Sequence, residues 1–151
     1  MDIRRIMETQ SLLGSSKAKR PEVEPGVSFQ NVIGQKREDR EYERFQRQIA
    51  AIHEQGELLA ESQTVEALAD YKQMIKDFMK EAVDAALRLE DKRGFNRRGR
   101  AKIYKVVEQV DQKLLALTDQ VISGEASRLS LLAQVGEIRG LLVNVLSRIH
   151  I

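Results

Sequence analysis

Apolar residues recur along most of this chain at intervals of three and four, and that spacing leaves it little to fold into but packed helices. An α-helix turns once every 3.6 residues, so such a repeat gathers its apolar side chains on one face. From Glu38 on, Tyr42, Phe45, Ile49, Ile52 and Leu59 form a first stripe. Gly56 stands where that stripe calls for its next apolar residue, which predicts a bend or a very close neighbour. Gln63 and Thr64 read as a short turn, with Ser62 or Thr64 as N-cap of the next helix. The second stripe runs through Val65, Leu68, Tyr71, Ile75, Phe78, Ala82, Val83, Ala86 and Leu87 to Leu89. Lys92 and Arg93 suit its C-terminus, and Gly94 suits the C′ position. Ile103, Val107, Val110, Leu114, Leu117 and Val121 make a heptad-like third seam that Ser123 and Gly124 end. The fourth stripe holds Leu131, Val135, Ile138, Leu142, Val145 and Ile149, widened by Leu132, Leu141 and Leu146.

No strand-period run or hairpin signal competes with these four stripes. Each helix must bury its apolar face against the others, and short turns favour antiparallel neighbours. The expected fold is therefore all-α: an antiparallel four-helix bundle over 37–151, running up-down-up-down. Residues 1–36 lack sustained periodicity and carry Gly14, Ser15, Ser16, Pro21, Pro25 and Gly26, so they read as a disordered, flexible N-terminal arm. Two short apolar pieces of that arm, Ile3-Ile6-Met7 and Val27-Phe29-Val32-Ile33, are candidate docking segments.

Composition removes several kinds of chemistry. The chain has no cysteine, so disulfides, thiolate nucleophiles and cysteine–zinc sites are excluded. Its two histidines, His53 and His150, meet no metal-ligand spacing: His53 precedes Glu54 and Glu57 without a second His, and neither has a Glu three residues before it. No phosphate-loop or dinucleotide motif is present, and acidic pairs such as Glu108 and Asp111 read as a solvated helix face. No catalytic residue, metal or cofactor is expected, and the chain is not read as an enzyme. Arg4 and Arg5 are not followed by the continuous apolar run of a signal peptide or membrane helix. The expected location is the cytoplasm, with no membrane partner.

Two segments stand out. Lys92, Arg93, Arg97, Arg98, Arg100, Lys102 and Lys105 place seven cations and no acid in one short stretch. They more than account for the chain's net charge of +2, so positive charge is concentrated there. Four of them lie near the start of the third helix, where the helix dipole disfavours cations by about 0.3–1 kcal/mol each. A run that opposes local stability marks a candidate binding site. Arg97, Arg98, Arg100 and Lys102 suit phosphate or acidic groups, and Phe95 and Tyr104 offer stacking surface. The structural alternative is that these arginines turn back onto Glu90 or Asp91. In the fourth helix, Gly136 and Gly140 flank Glu137, Ile138 and Arg139. Two helical glycines cost about 2 kcal/mol against alanine, which implies a close helix crossing, within the chain or with a partner. Arg139 is the candidate to pair with Asp111 or Glu108.

The run from Leu89 to Arg100 contains Arg-Gly-Phe-x-Arg-Arg-Gly-Arg. Tyr104-Lys105-Val106-Val107, Asp111-Gln112-Lys113-Leu114-Leu115 and the Glu-Ile-Arg-Gly-Leu-Leu run of the fourth helix follow. Together these resemble the YaaR family of small bacterial proteins over roughly 37–148. The resemblance implies an all-helical cytoplasmic protein without an assigned activity. It implies functional roles for Arg93, Phe95, Arg97, Arg98, Gly99, Arg100 and Tyr104 in the loop and for Glu137, Arg139 and Gly140 in the last helix. The expected function is a non-enzymatic protein-interaction module using the basic loop and a face of the fourth helix, for an unidentified protein partner and for self-association. The alternative is a phosphate-recognising protein that binds nucleic acid or a nucleotide through the arginines.

Overall fold

Thr64 and Ser127 decide where two of the helices begin. The Thr64 hydroxyl accepts a hydrogen bond from the Ala67 amide at 3.1 Å, and the Ser127 hydroxyl accepts one from the Ser130 amide at 3.0 Å. Each satisfies a first-turn donor that has no partner within its helix. The computed structural model describes residues 25–94 and 97–149, the side chains of 25–32 and 35 excepted. Among these residues there are four helices and no strand: α1 (Pro25–Ser62), α2 (Val65–Lys92), α3 (Arg97–Ser123) and α4 (Arg128–Ser147).

The expectation of an arm without regular structure up to residue 36 is corrected for 25–36, which are helical. Pro25, one of the residues that mark the arm as flexible in sequence, is the first helical residue. There its missing N–H costs nothing, because that donor would have no partner in the helix, and its fixed φ suits the helix. The compact bundle itself begins at Asp39. Residues 1–24, with Ile3, Ile6 and Met7, lie outside the described residues, as do the side chains of Val27, Phe29 and Val32.

Short connections fold the helices back on one another. Gln63, at φ +52°, ends α1 and donates its amide to the Leu59 carbonyl at 2.7 Å. Gly94, at φ +100°, ends α2, a conformation that an L side chain rarely adopts. The order is antiparallel, up-down-up-down, and cross-helix contacts bear it out. Phe45 of α1 meets Phe78 of α2 edge to face with ring centroids 5.7 Å apart. Arg44 pairs with Glu81 at 2.6 Å, Arg128 of α4 with Glu61 of α1 at 2.8 Å, and Lys113 of α3 with Glu137 of α4 at 2.7 Å.

The core is the set that the helical spacing selects. Phe45, Ile49, Ile52 and Leu59, then Leu68, Tyr71, Ile75 and Phe78, are buried. So are Ile103, Val110, Leu114 and Leu117, and Leu131, Val135, Ile138, Leu142 and Val145. Gly56 is a point of very close approach. A Cβ there would stand 2.4 Å from Val135 Cγ1 and 2.9 Å from Tyr71 Cε1, so α1 lies against α2 and α4 with no room for a methyl group. Some stripe residues depart from the expected core. Val65 is exposed, Val106 is buried although the third seam passed it over, and Val83, Leu87 and Val107 are only half-buried.

By length and composition α4 is apolar enough to cross a membrane, although Gln134, Glu137 and Arg139 break its apolar run. Its large side chains Leu131, Ile138, Leu142 and Leu146 are instead buried in the bundle.

Candidate functional site

The α2–α3 connection carries the cation cluster, and local pairing decides what it can bind. Lys92, Arg93, Arg97, Arg98, Lys102, Tyr104 and Lys105 are exposed, and Arg100 is half-buried. Phe95 lies outside the described residues. Arg100 hydrogen-bonds and ion-pairs with Asp91 across the connection, and that bond and charge raise the pKa of its guanidinium above the ordinary arginine value. Arg93 reaches back one turn to Glu90 at 3.3 Å. The structural alternative therefore holds for these two arginines: they close the loop onto the end of α2. Arg97 and Arg98 project from the first turn of α3 and also make interactions of their own.

Glu90 is the buried acid of this end of the bundle, and its place follows from Gly99. A Cβ on Gly99 would lie 2.2 Å from Glu90 Oε1 and 2.5 Å from Cδ, so the carboxylate rests where a side chain would otherwise be. Gly99 is the third residue of α3, so an anionic group already sits against the positive end of that helix's dipole. A phosphate approaching the α3 N-terminus would meet this carboxylate beside Gly99. The sequence signal was present in part: Glu90 was a candidate partner for an arginine, but nothing in the spacing revealed that Gly99 exists to admit it.

The second candidate cluster, Gly136, Glu137, Arg139 and Gly140, lies on the outside of α4. The close intramolecular crossing expected at the two glycines is not found among the described residues: none of their atoms on another element comes within 4 Å of a Cβ built at either. The glycine that does serve a crossing within the chain is Gly56. Glu137 bridges to Lys113, whereas no ion pair joins Arg139 to Asp111 or Glu108 among the described residues. With Leu129, Ala133, Val143 and Ser147, the glycines form a row at steps of 4, 3, 4, 3 and 4, every member exposed and uncharged. Eighteen rises make this row about 27 Å long.

Between α2 and α3 runs a furrow of about 430 Å³ that the sequence did not reveal. Met79, Val83, Leu87, Tyr104 and Val107 line it, with Lys76, Lys80, Asp84 and Asp111 among its other residues. Tyr104, expected at the basic loop, belongs to this furrow. Among the described residues no group of three or more His, Cys, Asp or Glu side chains could hold a metal ion. His53 stands 3.7 Å from Glu57, one turn along α1.

The family described as "Protein of unknown function (DUF327)" matches residues 6–146. The chain belongs to that family. The uncharacterised protein YaaR of Bacillus subtilis is 31% identical over 119 residues, which cover 79% of this chain and 82% of that protein. The resemblance to YaaR carried by the loop and last-helix motifs is therefore that of a true relative. The crystal structure of an uncharacterised protein from Bacillus halodurans is 48% identical, covers 77% of this chain and 95% of its own, and superposes with a TM-score of 0.69. A designed granulopoietic protein, Moevan, is 40% identical over 73% of this chain and 94% of its own, with a TM-score of 0.66. The helical bundle described above is thus shared with these two solved structures.

Proposed function

We propose that this DUF327 bundle is a non-enzymatic, cytoplasmic interaction module that binds a protein partner through the outer face of α4 and the basic end of the molecule. The observation that carries the reading is the α4 row. A helix on the surface of a soluble bundle turns charged residues outward, and a helix apolar all round belongs in an interior. On α4, Leu129, Ala133, Gly136, Gly140, Val143 and Ser147 present an uncharged strip to solvent while the opposite face is in the core. Its glycines cost helix stability, and among the described residues nothing comes within 4 Å of a Cβ built at either. A partner helix laid on this strip makes backbone-close contact where the two glycines lie, and a second copy of α4 is one such helix.

The exposed cations of the loop end supply the second contact, toward acidic groups of the partner. They also favour a second reading, phosphate recognition through Arg97, Arg98 and Lys102. Against it stand the Glu90 carboxylate at the α3 N-terminus and the use of Arg93 and Arg100 in internal ion pairs.

Fluorescence anisotropy separates the two. The full chain and an Arg97→Ala/Arg98→Ala/Lys102→Ala variant are titrated against short single- and double-stranded DNA and RNA at low and physiological salt. The interaction reading predicts no tight binding at physiological salt. Tight binding that falls steeply with salt and is lost in the variant would overturn it in favour of phosphate recognition.

A further inference from the structure

The α2–α3 furrow is apolar along its length because the second and third stripes are wider than the bundle covers. Met79, Val83 and Leu87 follow one another at steps of four on α2 and are half-buried. Across from them, Val107 is half-buried and Tyr104 is 53% exposed. Ile75, Val110 and Leu114 close the floor. From residue 75 to residue 87 the furrow extends about 18 Å along α2, the length of three to four helical turns. Two antiparallel helices flanking an open apolar channel make a seat for a third, whose i, i+3, i+4 and i+7 side chains enter it. Met79 adapts to an incoming apolar group, and Tyr104 combines an apolar ring with a polar hydroxyl.

Charge along the α2 wall selects the kind of helix. Lys76 and Lys80 lie one turn apart on the α2 wall, are exposed, and take part in no ion pair among the described residues. Of the two acids in the lining, Asp84 is already engaged with Arg88 at 3.5 Å, and Asp111 lies on the α3 side, away from the edge that Lys76 and Lys80 form on α2. We infer that the furrow receives an amphipathic helix of a partner protein, with an apolar stripe seated against Met79, Val83, Leu87, Tyr104 and Val107 and acidic residues along the edge that faces Lys76 and Lys80. This rests on reading the chain as an interaction module and adds a partner chemistry at a surface separate from α4.

The test uses the full chain and two fluorescein-labelled peptides of about 18 residues, long enough to span the furrow. Both carry the same leucine stripe; the other positions are Glu in one and Lys in the other. The acidic peptide is expected to bind saturably and at least about tenfold more tightly than the basic one, a difference of about 1.4 kcal/mol. Val83→Glu should weaken it at least about tenfold, and Lys76→Glu/Lys80→Glu, on the exposed wall, should reverse the preference while leaving the fold intact by circular dichroism. Equal affinity for both peptides, or unchanged binding by Val83→Glu, overturns the inference. Loss of a dimer in Val83→Glu, seen by light scattering, overturns it by making a second copy the occupant. A Gly136→Leu/Gly140→Leu variant separates this outcome from that of the α4 reading. Acidic-peptide binding lost there but kept in Val83→Glu removes the furrow and keeps the α4 face.

Discussion

Replacing each of three helical glycines with alanine is one chemical change with two predicted signs. At Gly56 the new methyl would stand 2.4 Å from Val135 Cγ1, 3.1 Å from Val135 Cγ2 and 2.9 Å from Tyr71 Cε1. Carbon atoms in good contact stay about 3.5–4.0 Å apart, so an overlap of more than an ångström must be relieved. Val135 is 1% exposed and β-branched, with little rotamer freedom, and Tyr71 is fully buried, so neither can swing aside. Overpacking costs about 1–3 kcal/mol, and an overlap this large against two immobile side chains falls in the upper part of that range, about 2–3 kcal/mol, against a gain of about 1 kcal/mol for replacing a helical glycine. Gly56→Ala should therefore be about 1–2 kcal/mol less stable, lowering Tm by about 2–8 °C for a chain of this length. Gly136→Ala and Gly140→Ala meet nothing within 4 Å and should each gain up to about 1 kcal/mol, raising Tm by about 2–4 °C. Thermal and urea melts followed by circular dichroism read both. Val135→Ala makes the room that Gly56→Ala needs, so the two changes should couple by at least about 1 kcal/mol in a double-mutant cycle. A Gly56→Ala protein as stable as wild type, or a cycle without coupling, would refute the close-approach account of α1.

Other substitutions probe the ends of the helices and the buried polar groups. Thr64→Ala and Ser127→Ala each remove a capping hydrogen bond and should each cost about 1 kcal/mol in urea unfolding. Gly99→Ala forces the Glu90 carboxylate from its seat and should lower Tm. In a Glu90→Ala background the same change should cost less, and an equal cost in both backgrounds would sink the argument. Burial raises the pKa of Tyr71 above that of an ordinary tyrosine. The unfolded chain therefore ionises first, and the stability contributed by the neutral phenol is complete below about pH 10 and lost as pH rises above it. Tyr71→Phe should flatten the loss of stability above pH 10, measured by urea melts at increasing pH.

The bundle was legible in the sequence because burial of one face per helix is what the three-and-four spacing encodes. Phe45, Tyr71, Ile103 and Leu131 needed only that rule. Thr64 and Gly94 were legible because caps have their own chemistry. The beginning of α1 was not: Pro25 breaks a helix anywhere but in its first turn, and no apolar stripe marks which case applies. Gly56 against Gly136 and Gly140 shows the limit most clearly. A glycine in a helix signals that something comes close, or that something is to come, and the sequence does not say which. Only the fold shows that Val135 fills the space beside Gly56, while among the described residues nothing comes within 4 Å of a Cβ at Gly136 or Gly140. The furrow escaped for a related reason. Val83, Leu87 and Val107 have the spacing of core residues, and only the angular position of neighbouring helices leaves them half-covered. At the loop, the sequence left open whether the arginines turn back onto acids of α2, and Arg93 and Arg100 do so, pairing with Glu90 and Asp91; Arg97 and Arg98 are exposed on the first turn of α3 and make interactions of their own.

The central claim, that α4 and the basic end are contact surfaces for a protein, is tested most directly by photo-crosslinking inside the cell that makes the protein. A photoreactive amino acid is placed singly at Gly140, at Lys102 and, as a control, at the exposed Glu54 of α1. The account predicts discrete protein adducts from positions 140 and 102, identified by mass spectrometry, and none from 54. An absence of protein adducts from 140 and 102, or the same adducts from all three positions, would contradict it.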